Sequence, residues 1–93
     1  MYTWNDKRVY IGDWKNSQMD GEGVFIWPDN RKYTGEYKQD KKEGFGLYEW
    51  SDGRKYKGNW LNGKQHGQGE FFQQNEGTWR KGYWENGKRI RWL

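Results

Sequence analysis

The chain has 93 residues, enough for one small domain and no more. It is 31% hydrophobic yet 20% aromatic, with 8 Trp and 7 Tyr, which excludes a two-layer core of aliphatic side chains and also excludes a disordered chain. The lack of Cys excludes disulfide staples, Cys-ligated zinc and thiol chemistry, and the net charge of +4 sits at one end: residues 79–93 hold Arg80, Lys81, Lys88, Arg89 and Arg91 against Glu85, while residues 1–78 balance to zero.

Residues 1–9 open on the second half of a repeated unit, because Tyr2 and Trp4 take the places that Phe25 and Trp27 take later. The segment Met1–Asp6 lacks the apolar run of a signal peptide, and no stretch approaches a membrane span, so an intracellular, cytoplasmic chain is expected. Three full units follow, at 10–32, 33–55 and 56–78. Their frame is carried by the glycine pairs Gly21/Gly23, Gly44/Gly46 and Gly67/Gly69 and by the triplets Gly12-Asp13-Trp14, Gly35-Glu36-Tyr37 and Gly58-Asn59-Trp60. Within a unit side chains alternate: Tyr33, Gly35 and Tyr37 share one parity, and Gly44, Gly46, Tyr48 and Trp50 share another with Phe45, Leu47 and Glu49 opposite. Period two specifies strands, at about 31–39 and 44–50 in the second unit, and the 14 glycines disfavour helix.

Pro28-Asp29-Asn30 and Ser51-Asp52-Gly53 read as three-residue turns whose last residue tolerates positive φ. Gly weakens a strand unless a ring from a neighbouring strand covers it, so each glycine is expected under an aromatic, on one continuous face. The fourth unit, 79–93, is partial and ends in the basic tail. Its triplet Gly82-Tyr83-Trp84 arrives one residue late, so either the extra residue lies at Gln73–Gly77 and Arg80 fills the Tyr slot, or Trp79 is bulged. Beyond Asn86-Gly87, Arg91 and Leu93 stand where a glycine pair is due, so the array is expected to end on a half-hairpin.

These residues resemble the MORN repeat family, whose unit runs Tyr-x-Gly-x-Trp-x-x-Gly-x-x-His-Gly-x-Gly. Tyr56, Gly58, Trp60, Gly63, His66, Gly67 and Gly69 match every fixed position, and the resemblance covers residues 2–87. The second unit departs with Asp40 and Glu43, the first with Ser17 and Asp20, all read as loop positions. The resemblance implies an all-β, elongated single-layer antiparallel meander of repeated hairpins with a groove lined by the recurring aromatics. Such repeats occur in scaffold and junction proteins, in ciliary and cytoskeletal components, and as accessory modules of lipid kinases and a lysine methyltransferase.

Chemistry finds little purchase in this pattern. A Gly-x-Gly phosphate cradle needs a helix behind it, and none follows. His66 is the only histidine and has no partners at metal-ligand spacing; Ser17 and Ser51 sit in turns. No cofactor, metal or catalytic residue is assigned. Nucleic-acid binding would need free rings beside excess charge, but the rings are committed to glycines and the repeats are neutral.

The expected function is therefore a non-catalytic scaffold or adaptor. It would hold a protein partner on its aromatic face or at its open sheet edges, in a ciliary or cytoskeletal assembly by family analogy. The candidate partner-binding residues are Tyr10, Trp14, Trp27, Tyr33, Tyr37, Trp50, Tyr56 and Trp60; homo-oligomerisation is compatible with open edges. The alternatives are binding of anionic phospholipid through Lys88, Arg89 and Arg91, flanked by Trp84 and Trp92, or a targeting fragment of a larger enzyme such as a lipid kinase.

Overall fold

The computed structural model describes all of residues 1–93. Nine strands follow one another: β1 (Tyr2–Thr3), β2 (Val9–Lys15), β3 (Gln18–Ile26), β4 (Lys32–Lys38), β5 (Lys41–Glu49), β6 (Lys55–Leu61), β7 (Lys64–Gln73), β8 (Thr78–Glu85) and β9 (Lys88–Trp92). They form one antiparallel sheet in sequence order, 38 × 24 × 16 Å overall. The all-strand meander is as the sequence specifies, because every connection is short enough to return the chain beside its last strand.

Two kinds of turn alternate. At one end of the strands, two-residue turns join β2–β3, β4–β5, β6–β7 and β8–β9, with both central residues at positive φ: Asn16 and Ser17 (51° and 65°), Gln39 and Asp40 (49° and 68°), Asn62 and Gly63 (52° and 84°), Asn86 and Gly87 (49° and 86°). That backbone matches the right-handed strand twist. The turns leave no loop, so β5 starts at Lys41, earlier than expected, and Asp20, Glu43 and His66 lie in strands instead of loops. His66 Nδ1 accepts the Asn86 N–H at 3.5 Å, and Asp20 likewise accepts the Gln39 N–H at 3.3 Å, so each ties its strand to the next two-residue turn.

The longer turns lie at the other end. Asn30 and Gly53 take positive φ there (75° and 95°), as expected, and so does Lys7 (77°). In the three that follow β1, β3 and β5, an Asp accepts the N–H of the residue two further on and pairs with that residue's guanidinium: Asp6 with Arg8, Asp29 with Arg31, Asp52 with Arg54. The backbone N–H bond is the main reason each carboxyl stays below its usual range.

The glycines divide into two jobs. Gly12, Gly23, Gly35, Gly46, Gly58, Gly69 and Gly82 pair in one row across seven strands, from β2 to β8. Tyr10, Tyr33 and Tyr56 lie over that row, each covering the glycine two residues on and its cross-strand partner. These three tyrosines are fully buried, and each hydroxyl donates to the carbonyl three residues ahead: Asp13 at 3.0 Å, Glu36 at 2.8 Å and Asn59 at 3.0 Å. Ring-covered strand glycines are thus present, and aromatic contact replaces the packing that glycine cannot supply.

Gly21, Gly44 and Gly67 differ from the expectation. They sit at positive φ (104°, 79° and 89°) where the register with the preceding strand shifts, so they are bulge residues. The nearest group to a Cβ at these positions would be Asp13, Glu36 or Asn59, not a ring. The bulge amides use those side chains: Asp13 accepts the Glu22 N–H at 3.1 Å and Glu36 the Phe45 N–H at 2.7 Å, while Asn59 donates to the Gln68 carbonyl at 3.2 Å.

The fourth hairpin closes, contrary to the half-hairpin expectation, with β9 paired along β8. Arg80 stands opposite Phe71, as Tyr33 stands opposite Phe25 and Tyr56 opposite Tyr48, so the extra residue lies in the turn before Thr78. A register shift in β9 sets Trp92 opposite Gly82, in the slot of the second glycine. The Tyr-over-Gly pair has become Arg80 over Trp92, with the guanidinium carbon 4.2 Å from the ring centroid.

Tyr33→Phe tests the tyrosine hydroxyl alone. The Glu36 carbonyl loses its donor in a buried setting, and we expect a loss of about 1–2 kcal/mol in urea unfolding with the fold retained. A loss near zero would show that the ring alone matters.

Candidate functional site

One face of the sheet carries the core. Tyr10, Met19, Phe25, Tyr33, Tyr37, Tyr48, Tyr56, Trp60 and Trp84 form a buried cluster, with Trp4, Trp27, Trp50, Phe71 and Trp92 packed at its margin. The strand alternation sends these rings to one side, Trp14, Tyr37 and Trp60 included, and the bulges on the facing strands bring Met19, Lys42 and Gln65 opposite them. Contacts are edge-to-face: Tyr37 stands between Tyr10 (5.4 Å) and Tyr33 (5.1 Å), and Trp60 stands 5.4 Å from both Tyr33 and Tyr56. The Trp60 indole N–H donates to the Gly46 carbonyl at 3.1 Å.

The eight aromatics marked in the sequence therefore separate. Tyr10, Tyr33, Tyr37, Tyr56 and Trp60 are buried by their own neighbours and have little surface to offer. Trp14 is 42% exposed, and Trp27 and Trp50 are half-buried with Arg31 and Arg54 against their rings at 5.2 and 5.3 Å. Only these last three of the eight present a ring to a visitor.

The structure does not bring the three tail cations together on one face. Arg89 lies against Trp92 on the ring face (4.3 Å), Arg91 lies over Tyr83 on the opposite face (5.2 Å), and Lys88 stands opposite Glu85 beside the turn. Trp84 is buried and Trp92 half-buried.

Sequence reasoning missed Lys42. It projects from β5 into the cluster, with its ammonium 5.6–5.8 Å from the ring centres of Trp27, Tyr33, Tyr48 and Trp60. It forms no ion pair. Burial, and next the Arg31 charge, push its pKa down. An open cleft of about 350 Å³ lies over it, lined with Tyr48, Trp50, Trp60 and the turns at Gly63 and Gly87. The signal was present in the repeat frame, where Lys42 replaces Met19 of the unit before and Gln65 of the unit after.

No helix in the chain is long and apolar enough to cross a membrane. No curated protein gave a significant match. The MORN repeat family model matches three times, at residues 10–30, 33–53 and 56–75. Those matches cover most of the chain and coincide with the three fully built tyrosine–glycine hairpins: the protein belongs to the MORN repeat family.

Proposed function

We propose that the protein is a non-catalytic docking platform that holds a protein partner against its ring face. The observation that carries this reading is that Trp14, Trp27 and Trp50 all present rings on the one face whose core is already complete. They are accessible rings that the fold does not fully consume. Edge docking fits less well at β9, where Lys88, Arg89 and Arg91 guard the strand against a like-charged neighbour, a second copy included. Beyond the two-residue β1, the outer edge of β2 over Ile11–Lys15 has no neighbouring strand and is open to strand addition, while its inner edge pairs with β3. Phospholipid binding by the tail is weakened as a reading by the division of its cations between two faces. The setting we favour, a ciliary or cytoskeletal assembly in the cytoplasm, is an analogy with the family.

The test is affinity purification from the source cells at native levels, with wild type, a Trp27→Ala/Trp50→Ala double variant, and Phe45→Ala on the opposite face, where Phe45 is 57% exposed. We expect one co-purifying protein, reduced at least about tenfold by the double variant and unchanged by Phe45→Ala. Circular dichroism confirms that each variant is folded. Recovery of free monomer only, or dependence on Phe45 instead, would sink the reading.

A further inference from the structure

Two places on the ring face break the repeat, and both breaks introduce a cation. Lys42 occupies a position that Met19 and Gln65 fill without charge, so the fold does not need an ammonium there. Arg80 occupies the slot of Tyr10, Tyr33 and Tyr56, and with Arg89 it clasps Trp92, at 4.2 and 4.3 Å. Neither Lys42, Arg80 nor Arg89 forms an ion pair, whereas Arg8, Arg31, Arg54, Lys55 and Lys57 each hold a carboxylate. Glu76 shares a hollow of about 220 Å³ with Arg80, Arg89 and Trp92 but pairs with neither guanidinium.

We infer that the ring face binds an acidic, apolar peptide segment of its partner, whose carboxylates pair with Lys42 at the centre and with the Arg80–Arg89 clasp at the β9 end. The inference rests on the docking reading above and names the chemistry of the partner. Trp14 pairs with Met19, Tyr37 with Lys42, Trp60 with Gln65 and Trp84 with Arg89, and each pair is stepped two residues along the strands from the next, so Lys42 and Arg89 are separated by four strand spacings, about 19 Å across the sheet, plus that offset. An extended peptide needs at least about six residues for that span, and a helix at least about thirteen. Between the two anchors the visitor meets Trp50, Phe71 and Trp92, which are half-buried and favour apolar side chains. An incoming carboxylate also removes the mismatch of an unpaired, half-buried ammonium, whose charged form is already disfavoured. Lys42 opens onto the cleft that Tyr48, Trp50 and Trp60 line, and an incoming carboxylate would enter there.

The experiment uses the full chain and three probes: a synthetic peptide of alternating Glu and Leu, its Lys/Leu counterpart, and phosphatidylserine vesicles, with tryptophan fluorescence as readout. The expected result is binding of the Glu/Leu peptide alone, weakened by added salt and weakened at least about tenfold by Lys42→Glu and by Arg89→Glu. Arg91→Glu changes the net charge equally from the opposite face and leaves binding unchanged. Arg89 is exposed, so its variant reports on binding even if Lys42→Glu perturbs the fold. Equal binding of the Glu/Leu and Lys/Leu peptides, or no binding of either, overturns the inference. So does retention on vesicles without peptide binding, or equal effects of Arg89→Glu and Arg91→Glu. Each of those results leaves the docking reading to its own test, which depends on Trp27 and Trp50.

Discussion

Gly46→Ala is expected to remove about 3 kcal/mol of stability, the largest loss of any single substitution considered. A Cβ at Gly46 would lie 2.5 Å from Cε1 and Cζ of Tyr33 and closer still to its hydroxyl oxygen. The ring has no direction of retreat. It is fully buried, stands 5.1 Å from Tyr37 and 5.4 Å from Trp60, and is pinned by its bond to the Glu36 carbonyl. Overpacking a fitted core costs about 1–3 kcal/mol, occasionally more, and this contact belongs at the top of that range because backbone and ring meet with nothing flexible between them. Domains of this size have about 5–15 kcal/mol in hand, and a single-layer sheet belongs at the low end. Urea unfolding followed by near-ultraviolet circular dichroism measures the loss, and a change under about 1 kcal/mol would refute the ring-over-glycine account. The companion variant Gly63→Asn should be nearly neutral. Nothing lies within 4 Å of a Cβ there, and the positive φ is one that Asp40 already adopts at the equivalent turn position.

Alkaline pH is the second strong perturbation. Burial pushes the Tyr33 and Tyr37 hydroxyls well above their usual value of 10.0, helped by the Glu36 charge at Tyr33 and by neighbouring tyrosines at Tyr37; burial pushes Tyr56 up to about 12. The folded state thus holds these protons more tightly than the unfolded state. Below pH 10 both states keep them and stability is intact; from pH 10 toward about 12 the unfolded chain ionises first and stability falls. Each such tyrosine contributes about 1.4 kcal/mol per pH unit, so the three together remove about 4 kcal/mol per unit. We expect cooperative unfolding in that window, with tyrosinate absorbance appearing together with loss of the circular dichroism signal. Tyr37→Phe should reduce the slope by about a third. Gradual ionisation near pH 10 with the sheet intact would contradict the buried ladder.

The repeat frame made the architecture legible, because an alternation that includes Tyr10, Tyr33 and Tyr56 with the glycines fits only a strand with one aromatic face. It did not reveal the bulges. Parity counting runs straight through Gly21, Gly44 and Gly67, and it assigned them the same role as Gly23, Gly46 and Gly69. The clue lay in Asp13, Glu36 and Asn59, polar residues nine positions before the amides or carbonyls they bond. The fourth unit was half legible. The late triplet was visible, but only pairing partners could place Arg80 opposite Phe71 and Trp92 opposite Gly82. Among the marked aromatics, sequence could not separate the rings that build the fold from those left for a visitor, since that depends on which ring the next hairpin supplies. Lys42 escaped notice because a lysine in a strand is read as a solvated residue, and of the four rings around it only Tyr48 shares its strand, while Trp27, Tyr33 and Trp60 come from three other segments.

The edge-to-face ladder also gives the molecule a direction. Tyr10 is closed on its far side by Tyr37, Tyr33 by Trp60 and Tyr56 by Trp84, at 5.4, 5.4 and 4.8 Å, and in each case the closing ring belongs to the following hairpin. A nascent chain can therefore seal each tyrosine only after the next unit has emerged, so maturation runs from the N-terminal hairpin onward, one step behind synthesis. At Arg80 the debt passed forward ends. A guanidinium resting on Trp92 takes its ring from its own hairpin, so the slot that the next unit seals in the other three repeats is filled locally here.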